Sequence, residues 1–337
     1  MLHLFKSIFA GSEKSASRYD DEVIDWATEK LVDGTDSRLR LVSGYKRKLR
    51  DCVERSVTFV DEVVESLAPP LAVDPQAFTT NHEIRTWFGT IKALREAFSL
   101  SLPIQQFAAQ VENASLTQLY AGMTALIDEK TVFVPELRGG MVQRDVSRTA
   151  FNFTGHTIVA PAATEEALRL EVKERAYMNL VERSLAHLVS IKREKSELQK
   201  QRTLLRSKLR TLVSRQLGMQ PFVAGMPTEP VDAASIEARL DNIEAELGQT
   251  AARIETLDQH LSRVIEVMNT PEDQLRITPA SVRVTQMGIV ATDETDEECG
   301  EVAYTKVETG DSGVFAVRLV SFPLKALLPP AQFRPRI

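Results

Sequence analysis

Residues 236–268, IEARLDNIEAELGQTAARIETLDQHLSRVIEVM, decide how this chain folds. Ile236, Leu240, Ile243, Leu247, Thr250, Ile254, Leu257, Leu261, Val264 and Met268 follow one another at alternating steps of four and three. Nine of these ten positions are apolar and no proline interrupts them, so the spacing predicts one helix carrying the seam of a coiled coil. An earlier stretch, Leu168–Leu217, repeats the pattern: Leu170, Tyr177, Ile191, Leu198, Leu205 and Leu212 stand at multiples of seven, with Ser184 the polar member. Two such stripes must be covered, by each other or by another chain.

The link 218–231 contains Pro and Gly and is long enough for the chain to reverse, so an antiparallel helical hairpin is expected. Charge agrees with that orientation. Nine basic residues lie between Lys192 and Arg215 against Glu194 and Glu197, whereas seven acidic residues lie between Asp232 and Asp258 against Arg239 and Arg253. Folding at the link sets one beside the other. Exposed ion pairs contribute only about 0–1 kcal/mol each, so they select the orientation, and the apolar seam supplies the stability. The basic stretch 192–215 also admits a nucleic-acid reading, but no aromatic residues alternate with its cations to stack bases.

The rest of the chain brackets this pair. Its 337 residues suffice for two or three domains, and 41 basic against 47 acidic residues leave it mildly acidic. Cys52 and Cys299 stand far apart, which suits a reducing compartment and no disulfide framework. No stretch reaches the roughly 20 apolar residues of a membrane span. Residues 1–17 read as a flexible or amphipathic segment in which Leu4, Phe5, Ile8 and Phe9 either meet a membrane surface or dock into the protein itself.

A helical bundle is expected over 18–130. A first helix runs from Asp20-Asp21 to Gly34, and a long second one carries Leu39, Val42, Leu49, Val53, Val57, Val60, Val64 and Leu67 to Pro69-Pro70. Ile84, Trp87, Phe88, Ile91, Leu94 and Phe98 make a third. A short helix follows from Pro103, and Leu116–Ile127 reads as a last. Lys46, Arg47, Lys48 and Arg50 on the second helix are the candidate contacts for an anionic surface, the competing reading being a solvated face.

From Thr131 the composition turns to β. Thr131–Pro135, Val146–Ala160 (broken at Gly155), Val282–Gln286, Gly288–Thr292, Glu301–Glu308 and Val314–Phe322 read as strands. The last two flank a hairpin turn at Thr309–Gly313. Thr164 is the expected N-cap of the first long helix. Because a hairpin returns the chain to its start, 131–162 and 275–325 are expected to share one composite antiparallel sheet, with the coiled-coil hairpin 163–270 projecting from it and 326–337 as a tail. The fold class is therefore mainly α with a smaller β part.

No catalytic, cofactor-binding or metal-binding motif stands out. His156, beside Gly155, is the most site-like of five histidines, and the acidic run 293–298 lacks the ligand spacing of a calcium loop. Met219, Phe222, Val223 and Met226 at the hairpin tip form an apolar cluster of the kind that marks contact sites. The expected function is a non-enzymatic, bacterial-type scaffold or adaptor in the cytoplasm. It would engage another protein through the arm or associate with itself through the coiled coil. A peripheral place at the inner membrane is the first alternative and nucleic-acid binding the second.

Overall fold

A computed structural model describes residues 19–113, 115–138, 141–216, 233–254, 256–292, 299–308 and 313–329, with 111, 136–138, 141–144, 211–216, 233 and 250–254 described as backbone only. The helices are α1 (Asp21–Thr35), α2 (Tyr45–Ser66), α3 (His82–Phe88), α4 (Ile91–Ser99), α5 (Leu102–Ala108), α6 (Glu165–Gln216), α7 (Ala233–Ile254), α8 (Leu257–Asn269) and α9 (Pro271–Gln274). The strands are β1 (Leu71–Ala72), β2 (Gln118–Arg138), β3 (Met141–Ala162), β4 (Arg276–Thr285), β5 (Cys299–Glu308) and β6 (Val314–Pro323). Among the described residues 58% are helical and 27% are strand. Two compact units result. A sheet unit draws its described residues from Val57–Tyr177 and Pro271–Ile337, and a helical unit from Ala10–Ser56 and Met178–Thr270.

In the sheet unit the strand order is β3-β2-β6-β5-β4, antiparallel throughout, with β1 added parallel to β6. Strands from before and after the long helices thus share one sheet, joined where Gln118–Leu126 pairs with Phe315–Pro323. The β2–β3 register shifts three times, and each shift coincides with a positive φ on β3: Asp145 at 65°, Gly155 at 64° and Ala160 at 53°. An extra residue turned into the left-handed region is the mark of a bulge. The expected break at Gly155 is one of these bulges inside a continuous strand.

One face of the sheet is covered by α3–α5. Trp87 stacks on Phe153 with ring centroids 3.8 Å apart, and Phe98 stacks on Phe322 at 4.1 Å. Ile84, Leu94 and Ile104 complete this layer against Leu119, Ala121, Met123 and Phe151. Residues 82–108 therefore form a cover for the sheet, and the helical bundle expected over 18–130 is corrected to that extent. The last expected helix, Leu116–Ile127, is also corrected: it is the start of β2. Leu119, Ala121, Met123 and Ala125 are all buried, a period of two, but Leu, Ala and Met favour helices and the intervening residues are little more polar.

Three further expectations change at helix boundaries. The helix expected over Ile84–Phe98 is divided at Gly89, whose φ of 65° suits a residue without Cβ, and Thr90 caps α4 by accepting from the Ala93 N–H at 3.1 Å. The stripe from Leu39 to Leu67 is buried throughout, yet its first part, Ser37–Leu41, is a 3₁₀ turn separated from α2 by Gly44 at φ 67°. The helix expected over Ile236–Met268 ends at Ile254 and restarts at Leu257. There Thr256 and Gln259 exchange side-chain and backbone hydrogen bonds in a capping box. Gly288–Thr292 makes only isolated bridges, Ala150 with Ile289 and Val284 with Val290.

In the helical unit, α1 buries Val23, Ile24, Ala27, Leu31 and Val32, and α6 buries Leu180, Val181, Ser184, Leu188, Ile191 and Leu198. Ser184 is satisfied inside its own helix by donating to the Leu180 carbonyl at 3.0 Å. A Cβ on Gly34 would overlap Val181, so the glycine permits the close approach of α1 to α6. On α7, Ile236, Leu240, Ile243 and Leu247 are buried, and Leu198, Ile243 and Leu247 form a cluster with Leu205 packed beside it. Thr164 accepts from the Ala167 N–H at 3.2 Å, the expected cap of α6.

Trp87→Ala is expected to lower the stability of the sheet unit by about 3–5 kcal/mol, the usual cost of emptying an aromatic core site. Thr256→Ala is expected to cost about 1 kcal/mol through loss of the cap. Urea unfolding followed by circular dichroism measures both.

Candidate functional site

A cleft of about 390 Å³ in the helical unit is lined by Arg38, Lys192, Lys195, Ser196, Gln199, Thr256, Leu257 and His260. Lys192, Lys195, Ser196 and Gln199 are spaced by three, four and seven residues, which puts them on one face of α6. Thr256, Leu257 and His260 come from the capped start of α8, where unpaired N–H groups carry partial positive charge. Arg38 comes from the 3₁₀ turn.

Asp36 holds this corner together. It accepts Arg38 Nε at 2.9 Å and Arg38 Nη2 at 2.7 Å, and its Oδ2 also takes His260 Nδ1 at 3.1 Å. Its Oδ1 caps the 3₁₀ turn through the Arg38 N–H at 3.2 Å. Hydrogen bonds from Arg38, then from His260, hold the carboxyl well below the usual carboxylate range, although burial acts the other way. The lining itself contains three side-chain cations and, among the described residues, no carboxylate.

The basic residues expected to meet an anionic surface are placed differently. Helix α1 carries Asp21, Asp25, Glu29 and Asp33 at four-residue spacing, one stripe of carboxylates. Arg50 pairs with Asp21, Lys46 Nζ lies 3.2 Å from Asp25, and Arg40 Nη2 lies 2.7 Å from both Glu29 and Asp33. Lys48 Nζ lies 2.8 Å from Asp258. The Tyr45 hydroxyl donates to Glu29 at 2.7 Å and, with Arg40, lowers that carboxyl's pKa. Each exposed pair contributes about 0–1 kcal/mol, and together they neutralise three of the four patch residues, Lys46, Lys48 and Arg50. Arg47 is exposed and makes no ion pair among the described residues.

The other candidates separate. His156 sits in the Gly155 bulge, stacks on Phe88 with centroids 4.9 Å apart and donates Nε2–H to the Trp87 carbonyl at 2.7 Å. Burial pushes its pKa down, so it is a neutral, structural histidine. Burial pushes the Cys52 thiol up to about 12, which leaves it unreactive. Burial likewise raises the pKa of Glu83, opposed by Arg318, whose Nε lies 3.4 Å away across the sheet unit's core. Leu4, Phe5, Ile8 and Phe9, the tip residues Met219, Phe222, Val223 and Met226, the acidic run 293–298 and the turn residues 309–312 lie outside the described residues. Among the described residues no helix is long and apolar enough to cross a membrane, and no group of three His, Cys, Asp or Glu side chains is arranged to hold a metal ion.

Sequence reading did not bring Arg38, Lys192, Lys195 and His260 together, since contacts between residues this far apart in the chain leave no local pattern. The Thr256-x-x-Gln259 capping box was the one available signal. No protein-family model, curated protein or solved structure matches this chain.

A carboxyl with a depressed folded pKa stabilises fully above its unfolded value of about 4, and that stabilisation is lost as pH falls towards the folded value. Asp36→Asn is therefore expected to lower stability at pH 7 and to flatten the loss of stability on acidification. Urea midpoints at pH 7 and pH 3 give the comparison.

Proposed function

We propose that this protein is a non-enzymatic scaffold or adaptor whose helices α6 and α7 form an antiparallel coiled-coil arm that engages a partner protein. The reading is supported by contacts between the two helices: Leu198 of α6 clusters with Ile243 and Leu247 of α7, and Arg206 pairs with Glu244. The midpoint of each of these contacts falls inside the 218–231 link, as fold-back requires. Burial of Ile191, Leu198, Ile236, Leu240, Ile243 and Leu247 fits the same pairing. The break before Thr256 limits the arm on the return side to α7.

Coverage of one side of α6 leaves apolar groups on its surface. Val189 is 52% and Leu204 57% exposed, and Leu204 borders a groove with Ser196, Gln199, Lys200, Thr203 and Ser207. A partner would meet this flank or the tip cluster of Met219, Phe222, Val223 and Met226. Pairing of Lys46, Lys48 and Arg50 with Asp25, Asp258 and Asp21 reduces the charge that binding to an anionic membrane would draw on to that of Arg47, which favours the adaptor reading. A cytoplasmic location belongs to the same proposal.

The test is affinity capture from extracts of the cells that make the protein, comparing wild type with the double variant Phe222→Ser, Met226→Ser. The variant is expected to lose the captured protein while its melting temperature stays unchanged. Undiminished capture would remove the tip as the contact.

A further inference from the structure

The seam accounts for one face of α6 and one face of α7, and the two helices carry opposite charge around the rest of their surface. From Val189 to Arg210, α6 holds eight basic residues against two acidic, and from Ala234 to Gln249, α7 holds four acidic against one basic. Arg206 pairs with Glu244 across the arm, but Arg193, Lys208, Glu237, Asp241 and Glu246 make no ion pair among the described residues. Lys200 meets Glu197 of its own helix, at 3.9 Å. The two helices therefore leave most of each other's charge uncancelled.

Val189, Arg193, Ser196, Lys200, Thr203 and Ser207 follow one another at steps of three and four, all exposed, on the side of α6 opposite Ile191 and Leu198. Ser196, Lys200, Thr203 and Ser207 line a groove of about 520 Å³ together with Gln199 and Leu204, and Leu204 is more than half exposed. Ala238, Asp241, Ala245 and Gly248 are likewise exposed, on the side of α7 turned away from Leu240, Ile243 and Leu247. Because Leu198 packs with Ile243 and Leu247, the groove and this acidic face lie at the same height of the arm. Gly248 adds an independent observation. A glycine inside a helix costs about 0.5–1 kcal/mol relative to alanine. A Cβ there would meet open space, so no close approach within the chain calls for it. Small side chains at a helix face do let a second helix pack closely.

We propose that this chain associates with copies of itself head to tail, the acidic outer face of α7 docking into the basic, partly apolar groove on α6 of the next copy. The inference rests on the arm proposed above and gives its flank a partner, while the tip stays with another protein. Charge selects this occupant. Asp241 and Glu237 bring carboxylates to Lys200 and Arg193, whereas two α6 faces brought together would repel. Ala238, Ala245 and Gly248 leave room for Leu204. Both faces point away from the shared seam, so each copy can use its groove and its acidic face at once. The contact then repeats from copy to copy, as a heterologous interface does.

Sedimentation velocity of the full chain over a concentration series tests this. Species larger than a dimer are expected to grow with concentration and to fall back towards monomer in about 1 M salt, where charges are screened beyond about 3 Å. Lys200→Glu and Asp241→Lys are each expected to weaken association about tenfold or more. An equimolar mixture of the two variants should associate again, because the reversed charges then face each other. Both positions are exposed, and unchanged circular dichroism and melting of the variants show that the fold is kept. A monomer at every concentration, a dimer that grows no further, association untouched by either variant, or a mixture that stays dissociated would overturn the proposal. So would assembly only in the presence of a single-stranded oligonucleotide, because the basic face would then be a nucleic-acid contact. The arm is read separately. Thiol-specific cross-linking of Leu198→Cys to Ile243→Cys in dilute monomer reports the seam, and capture by Phe222→Ser, Met226→Ser reports the tip. Loss of self-association with the seam cross-link formed overturns this inference alone.

Discussion

In a protein, most of a helix's stability comes from the packing of one of its faces. Helix α6 runs for 52 residues, so its apolar stripe is the constraint to which the other elements answer. Leu168 and Tyr177 bury it in the sheet unit, and Leu180, Val181, Leu188, Ile191 and Leu198 bury it in the helical unit. At roughly 1.5–3 kcal/mol for each fully buried aliphatic side chain, that stripe outweighs any set of surface ion pairs. Each unit supplies cover in its own way. In the sheet unit Arg169 of α6 donates to the carbonyls of Val64 and Leu67 at the end of α2, at 2.7 and 3.2 Å, and the buried Lys173 meets Asp61 and Glu65. In the helical unit Gly34 lets α1 come close enough to touch Val181.

Charge then decides what the surface can do. The stripe of carboxylates on α1 answers three cations of the 3₁₀ turn and α2, Arg40, Lys46 and Arg50, so a run that looks basic in sequence is partly neutralised in space. Lys192 and Lys195 of α6 line a cleft together with Arg38 of the 3₁₀ turn. Asp36 makes the difference at the rim, because it orders Arg38 without standing in the cleft.

The burial stripes were legible in the sequence because a single period ran through each. Every described member of the Leu39–Leu67 and Ile236–Leu247 stripes is buried. What misled was continuity. Gly44 and Thr256 each break a helix and leave its apolar face intact, since a cap or a left-handed residue changes the backbone alone, whereas the break at Gly89 leaves Ile91 exposed. Residues 119–125 failed in the opposite way: alanine and glycine between larger apolar residues hid an alternation of two. The shared sheet was inferred from topology, because a reversing chain returns to where it left. Beyond the Thr256-x-x-Gln259 capping pattern the cleft was not legible, since Arg38, Lys192 and His260 meet only through tertiary packing.

The three bulges on β3 bear on how this hairpin tolerates change. Between Asp145 and Gly155 the pairing with β2 is regular, and Phe151 and Phe153 turn the same side inward. Losing one residue in that interval would invert the alternation, sending both rings outward and drawing Asn152 in. Losing a residue at a bulge would instead straighten the strand and keep the inner face. Drift in length along this hairpin is therefore channelled to the bulge positions, and the stretch carrying the aromatic rings is held at constant length.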